Sequence, residues 1–254
     1  MAPAIEFSHV AKDFGGRRVL ADLSFAVARG ELVTILGSSG SGKTTTLKLV
    51  NGLLTPDGGT VRVGGKPLAD QDLVELRRHI GYVVQQTGLF PHLTVGENIA
   101  VVPRLLGWPK EKIQARVADL LALVRLDPAC ADRAPRQLSG GQQQRVGVAR
   151  ALAANPPYVL FDEPFGALDA LTRQELQGEV RRIHRSLAGK TFLFVTHDIN
   201  EALYLGQRVL VMKDGAIEQF AAPAELVAHP ATPFVADLLA TVQQNRALWG
   251  WQDD

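Results

Sequence analysis

"GSSGSGKT", Gly37–Thr44, restricts this chain's fold more than any other segment. It matches G-x-x-x-x-G-K-[ST], with a short apolar stretch, Glu31–Leu36, before it and the helix-like "TTLKLVNGL" after it. A glycine-rich turn between a strand and a helix aims backbone amides inward and sets a helix N-terminus behind them, an arrangement suited to phosphate. Such a unit needs a buried strand with a helix packed on it. The expected class is therefore α/β, a mostly parallel sheet with helices on both faces. The chain can build that core: it has 254 residues, 46% of them hydrophobic and 21% charged, an ordinary globular balance. The formal net charge of +1 provides no basic excess to neutralise many phosphates, which argues against nucleic acid as a partner. One cysteine, Cys130, cannot form an internal disulfide and fits a reducing compartment. The opening "MAPAIEFSHV" lacks the basic-then-apolar pattern of a signal peptide. No apolar run approaches the ~18 residues of a bilayer span. The expectation is a chain soluble by itself, still able to bind a membrane protein.

Hydrophobic patterning predicts strands at Ile5–Phe14 and Arg18–Val27 around the turn "FGG", and at Thr60–Val63 and Ile80–Val84. Thr94–Val101 and Lys110–Arg125 read as helices, the latter through Ile113, Val117, Leu120, Leu121 and Val124. No strand pattern occurs from about Gln86 to Ala154, so this stretch reads as a helical insertion. Strand and helix then alternate again. Tyr158–Phe161 and Thr191–Thr196 read as strands, and Leu171, Leu176, Val180, Ile183 and Leu187 as one face of a long helix. Glu201–Leu205 reads as a short helix. "VLVMKDGAIEQF" reads as a hairpin turning at Asp214-Gly215. Pro223–Ala240 reads as two short helices, and "NRALWGWQDD" as a loose terminus.

Several segments carry chemistry. In the glycine-rich loop the candidate nucleotide contacts are Gly37, Ser38, Ser39, Gly40, Ser41, Gly42, Lys43, Thr44 and Thr45. Lys43 would reach the β- and γ-phosphates, and Thr44 would hold Mg²⁺. "YVLFDEP" is an apolar strand ending in two acids. Asp162 is placed for Mg²⁺ through water, and Glu163 to orient and activate an attacking water. Alone, such a pair is also a plain helix cap or solvated turn; the upstream loop makes the catalytic reading the stronger one. His197 ends "FLFVTH". A lone histidine there is more often a satisfied core or turn residue, and its position matters only if its strand lies beside the phosphate-loop strand, where it could hydrogen-bond the γ-phosphate. Gln85 follows a strand end and can ligate Mg²⁺ or its water. It can also be an exposed loop glutamine, with Leu89, Phe90 and Pro91 as core packing. Ser139–Gln142, "SGGQ", fits a capping box. Two glycines exceed what capping needs and would let another molecule approach the helix N-terminus. Without a lysine, that site is one wall only.

"GSSGSGKT", "VVQQ", "LSGGQ", "YVLFDE", "GALD" and "VTHD" follow one another in this order. On these motifs the chain resembles an ABC transporter nucleotide-binding subunit over about residues 4–240. The resemblance implies a P-loop NTPase of ABC ATPase type: a RecA-like parallel sheet core, an N-terminal antiparallel β region, and an inserted helical subdomain of about residues 86–154 carrying LSGGQ. Residues 241–254 would be a C-terminal tail. It implies two ATPase subunits paired head to tail, with each ATP between one chain's P-loop and the partner's Ser139, Gly140, Gly141 and Gln142. Phe14 occupies the adenine-stacking position, where the family more often has tyrosine. Gln85 matches the Q-loop, Asp169 the residue that crosses the dimer, and His197 the switch histidine. Thr44, Gln85 and Asp162 would serve Mg²⁺, directly or through water. Gly166 stands where many relatives carry serine.

The segments "ELRRHIGYVVQQTGLFPHLTVGENIAVVPRLLGWPKEKI" and "LFDEPFGALDALTRQELQ" are similar to ATPase subunits of importers for glycine betaine, choline and related quaternary amines. The implied partners are membrane permease subunits and, indirectly, an extracytoplasmic substrate-binding protein. The implied location is the cytoplasmic face of the cell membrane. Many such subunits continue into CBS domains, and none is expected here. Two rival readings are a soluble ABC ATPase without a membrane partner and an ordinary P-loop kinase or GTPase. The single P-loop and balanced charge disfavour the first; LSGGQ disfavours the second.

Overall fold

A computed structural model describes residues 2–85, 88–166 and 168–248. Its strands are β1 (Ile5–Phe14), β2 (Arg17–Val27), β3 (Leu32–Gly37), β4 (Gly58–Val63), β5 (Lys66–Pro67), β6 (Ile80–Val83), β7 (Tyr158–Asp162), β8 (Thr191–Thr196), β9 (Arg208–Lys213) and β10 (Ala216–Ala221). Its α-helices are α1 (Lys43–Val50), α2 (Leu73–Arg78), α3 (Val95–Leu105), α4 (Lys110–Leu123), α5 (Gly140–Leu152), α6 (Ala170–Ser186), α7 (Ile199–Leu205), α8 (Pro223–Ala228) and α9 (Pro233–Leu248). Contacts divide the chain into two compact units, Met1–Ala69 with Leu193–Asp254, and Asp70–Phe192.

The first unit contains the expected antiparallel region, in the order β2-β1-β4-β5. Gly15 and Gly16 turn β1 into β2 at φ 54° and 83°, the left-handed pair that a tight hairpin requires. Phe7 and Phe25 stack beneath the hairpin with ring centroids 4.6 Å apart. The same unit has the strand order β10-β9-β3-β8, with β3 and β9 parallel and β9 and β10 antiparallel. Every residue of β3 and β8 is buried, the near-continuous apolar run of strands covered on both faces. Thr34, the polar residue within β3, donates its hydroxyl to the Ala202 carbonyl at 3.0 Å, which satisfies it in the core. Asp214 and Gly215 turn the β9–β10 hairpin at φ 47° and 77°, as their sequence predicts.

In the second unit β6 and β7 pair in parallel, Tyr82 opposite Leu160. Among the described residues of 86–154 there are α3, α4, α5 and short 3-10 turns, and no strand. Thr94 and Glu97 close a capping box on α3. Helix α5 lies against β6 so closely that a β-carbon on Gly81 would sit 2.3 Å from the Ala151 carbonyl oxygen. That neighbour is backbone and cannot swing away. Gly81→Ala is therefore expected to destabilise the protein by about 1–3 kcal/mol, read as a lower denaturant midpoint.

Two expectations change, and one helix falls outside them. Leu171 does not belong to the buried face of α6; it is 76% exposed. Leu176, Glu179, Val180 and Ile183 are the buried set. Five residues separate Leu171 from Leu176, about 140° around a helix, whereas 176, 180 and 183 keep one face. The last helix does not stop by Ala240 but runs to Leu248. Residues 240–248 hold no glycine or proline to end it; Trp249 and Trp251 lie outside the described residues. Finally, α2 was not foreseen. Asp72 caps it, accepting from the amides of Val74 at 2.8 Å and Glu75 at 3.2 Å. Six residues are too few for the periodicity to show.

Candidate functional site

In the first unit, β3 ends at Gly37 and the loop enters α1 at Gly42. A β-carbon on Gly37 would lie 2.4 Å from the Met212 carbonyl oxygen, and one on Gly42 would lie 2.4 Å from Leu20 Cδ2. Gly40 and Gly42 have φ of 83° and 98°, conformations open to glycine at little cost. Glycine at the N-cap brings no side chain to the first amides of α1, which leaves the helix end able to meet an anion. Lys43 is buried, and its ammonium donates to the carbonyls of Gly37 at 2.8 Å and Ser38 at 2.9 Å. A cation is thus held in the middle of a loop of glycine backbone. This fits a polyphosphate, and Thr44, half-buried on the first turn of α1, offers the hard oxygen that Mg²⁺ prefers. Ser41 turns its side chain away from the loop's inner face. Its hydroxyl is buried, has no hydrogen-bond partner among the described residues, and would lie 2.6 Å from a Gly37 β-carbon. The side chain points into the fold, so Ser41 can offer a ligand its backbone only.

β8 lies next to β3, which meets the condition set for His197, the exposed residue directly after β8. On its other side Asp198 caps α7, accepting from Asn200 at 2.8 Å and Glu201 at 3.3 Å. The Asp198 amide donates to Thr196 Oγ1 at 2.9 Å. The histidine is therefore held between a strand end and a helix cap. Phe14 is 45% exposed at the end of β1, with the Lys12 ammonium 5.4 Å from its ring centroid. Its open aromatic face suits stacking by a base.

In the second unit Asp162 ends β7. Tyr82 donates its hydroxyl to Asp162 Oδ2 at 2.9 Å. Burial, then the charge and hydrogen bond of Asp162, push the Tyr82 phenol well above its usual range, so it remains a donor. Glu163 follows with φ 45°. A non-glycine residue there is strained, and such strain concentrates at functional sites. Gln85 lies beside this loop: a β-carbon on Gly166 would sit 3.7 Å from Gln85 Nε2 and 3.8 Å from the Glu163 carbonyl oxygen. Both are ordinary contacts, so a serine at 166 would fit. Asp169 caps α6, accepting from the Thr172 amide at 3.0 Å. The bonds from Thr172 hold its carboxyl below the usual carboxylate range.

The capping box forms as read. Ser139 Oγ accepts from the Gln142 amide at 3.3 Å, and Gln142 Oε1 accepts from the Ser139 amide at 3.0 Å. The glycines divide. A β-carbon on Gly141 would meet Thr172 Cγ2 at 2.6 Å, so this buried glycine serves the contact between α5 and α6. Of the four, only Ser139 and Gly140 stand exposed, and among the described residues a β-carbon on Gly140 would have nothing closer than Leu168 Cδ2 at 3.6 Å. The expectation that both glycines open the helix to another molecule is corrected for Gly141.

Sequence reasoning missed Tyr82, Asn98 and Arg150. Asn98 is fully buried. It accepts from the Phe90 amide at 2.8 Å and donates to the carbonyls of Phe90 at 3.1 Å and Thr94 at 2.9 Å, which fixes the segment before α3. Arg150 donates to the Gly88 carbonyl at 2.7 Å, with its guanidinium carbon 5.8 Å from the Phe90 ring centroid. Tyr82 and Arg150 line a groove of about 390 Å³ with Ile80, Phe90, Val101 and Val102. No local motif marks Tyr82 or Arg150, because each acts through a partner distant in sequence; the partners of Asn98 are near in sequence but belong to no motif. Among the described residues no three His, Cys, Asp or Glu side chains cluster as a metal site. No described helix is long and apolar enough to cross a membrane.

A protein-family profile described as "ABC transporter" matches residues 20–166. The chain is 48% identical over 236 residues to the glycine betaine/carnitine/choline transport ATP-binding protein of Bacillus subtilis, covering 92% of this chain and 62% of that protein. It is 49% identical over 231 residues to the glycine betaine uptake system ATP-binding protein of Escherichia coli, covering 91% and 75%. The chain thus spans a little over 60% of the length of the Bacillus relative. A dimeric ATP-binding cassette in a post-hydrolysis state, bound to ADP and Pi, superposes with a TM-score of 0.76 at 36% identity, covering 86% of this chain and 98% of that one.

Proposed function

The chain belongs to the ABC transporter family of ATP-binding subunits, and from that premise we propose that it hydrolyses ATP to drive import of a quaternary-amine osmoprotectant such as glycine betaine or choline. One observation carries the ATPase reading: a buried lysine held inside a glycine-lined loop at a helix N-terminus. The relatives' names support the substrate class.

In this reading Lys43 and the backbone amides of Gly37–Thr45 hold the phosphates, and Phe14 stacks on adenine. Thr44, Gln85 and Asp162 serve Mg²⁺, whose charge, when bound, offsets that of the β- and γ-phosphates. Glu163 takes a proton from water as the water oxygen bonds to the γ-phosphorus. The bond from that phosphorus to the bridging oxygen breaks, and ADP and phosphate leave. His197 steadies the γ-phosphate. Ser139 and Gly140 meet an ATP held by a second copy's Lys43, so that ATP closes the pair and hydrolysis reopens it.

The segment from Gln85 to Asn98, with the groove behind Phe90, is the proposed dock for a permease helix. The subunit then sits on the cytoplasmic face of the membrane, with an extracytoplasmic binding protein delivering cargo to the permease. Deleting the chain from its host is expected to abolish uptake of labelled glycine betaine or choline at high osmolarity. Retained uptake of both overturns the substrate class. The chain is expected to co-purify with an integral membrane subunit from detergent extracts, and to lose it when Leu89–Pro91 is replaced. Absence of any membrane subunit overturns the importer reading.

A further inference from the structure

Tyr82 touches two features of the second unit. Its hydroxyl donates to Asp162 Oδ2 at 2.9 Å. Tyr82 is also one of the residues that line the groove, with Phe90 and Val102. Register explains the reach. Tyr82 sits opposite Leu160 in the parallel pair, and side chains alternate along a strand. Tyr82, Leu160 and Asp162 therefore share one sheet face, and the phenol extends along it to the carboxylate.

A strand-end carboxylate can rotate about two side-chain bonds. A hydrogen bond to one of its oxygens sets the plane it presents, and bonds to a charged acceptor are roughly twice as strong as neutral ones. Mg²⁺ demands near-ideal octahedral geometry, so the direction of a carboxylate that serves its ligand shell matters. Groups that orient metal-serving residues from behind typically account for about 10–100-fold in metal affinity. The tyrosine ring is rigid, with two rotatable bonds. A group lodged in the groove would press on the residue that holds Asp162.

We propose that Tyr82 is a positioning residue that orients Asp162 toward the Mg²⁺ of bound nucleotide, and that filling the groove changes this orientation through the same ring. The proposal rests on the reading of Asp162 as a metal-serving residue. It differs from a structural role for Tyr82, which would alter stability without altering metal dependence.

The test uses the full chain with ADP as probe. Calorimetry gives the Mg²⁺ concentration at half-saturation of ADP binding and the ADP affinity in EDTA; thermal unfolding is followed in parallel. Tyr82→Phe keeps the ring and removes the hydroxyl. It is expected to raise the Mg²⁺ half-saturation about 10-fold while ADP affinity in EDTA and the unfolding midpoint stay unchanged. Asp162→Asn is expected to raise it at least as much, with no further rise in the double variant. A shift in Asp162→Asn but none in Tyr82→Phe overturns the proposal and leaves the Asp162 reading standing. No shift in either overturns both. For the groove, Val102→Cys is labelled with a bulky maleimide; Cys130 is buried, so the new thiol takes the label. Labelling is expected to raise the half-saturation several-fold with Tyr82 present and to leave it unchanged in Tyr82→Phe. An equal shift in both backgrounds overturns the transmission through the ring.

Discussion

Glu163→Gln is expected to lower ATP turnover by about 10²–10⁴-fold while leaving ATP affinity within a factor of a few. Glutamine keeps the shape of the side chain and loses only its capacity to take a proton. The position is unusual in this chain. Glu163 follows the last residue of β7 at φ 45°, a conformation that costs a non-glycine residue about 1–3 kcal/mol. Alternation along the strand already turns Glu163 away from the face on which Tyr82 and Asp162 meet, and its left-handed backbone then leaves the strand. Two adjacent acids can then have two roles, one with the metal and one with water. Phosphate release and equilibrium nucleotide binding, measured on the same preparation, separate the alternatives. Turnover that persists in Glu163→Gln removes the base assignment; lost binding would mean that the loop after β7 also shapes the nucleotide site.

Ser139→Arg is expected to leave ATP binding to an isolated subunit nearly intact and to abolish ATP-driven pairing. Ser139 is exposed at the head of a 13-residue helix. Loss of its capping bond costs about 0.5–2 kcal/mol, too little to unfold a helix whose other side is buried. Arginine would instead project from the surface on which the partner's nucleotide is proposed to rest. Sedimentation of Ser139→Arg with Glu163→Gln in saturating ATP reads the pairing directly, because hydrolysis then does not reopen the dimer. Failure of the monomer to bind ATP would refute the shared site. Gly141 is a poor probe of the same idea, since its replacement collides with Thr172 and damages the contact between α5 and α6 first.

Local features were legible where the cause is local. Gly37–Thr44 needs a strand, left-handed glycines and a helix start, and all three are neighbours in sequence. Asp214-Gly215 specifies its hairpin, and Ser139 with Gln142 specifies a capping box, for the same reason. Leu171 shows the limit: hydrophobicity put it in the core, but its angle around α6 leaves it in water.

By itself the sequence determined the class of fold, the phosphate loop and the family to which the chain belongs, because each rests on residue types at fixed short spacings. Only the tertiary structure decided which side chains could work together. It turned Ser41 inward, assigned Gly141 to packing against Thr172 and left Gly140 at the surface. It also brought Tyr82 to Asp162, 80 residues away. The physical reason is parallel pairing: the register of β6 on β7 is set by burial of both strands and by the close seat of α5 on Gly81. Gly81 beside Tyr82 permits that seat, but no residue near Tyr82 in sequence names Asp162 as its partner.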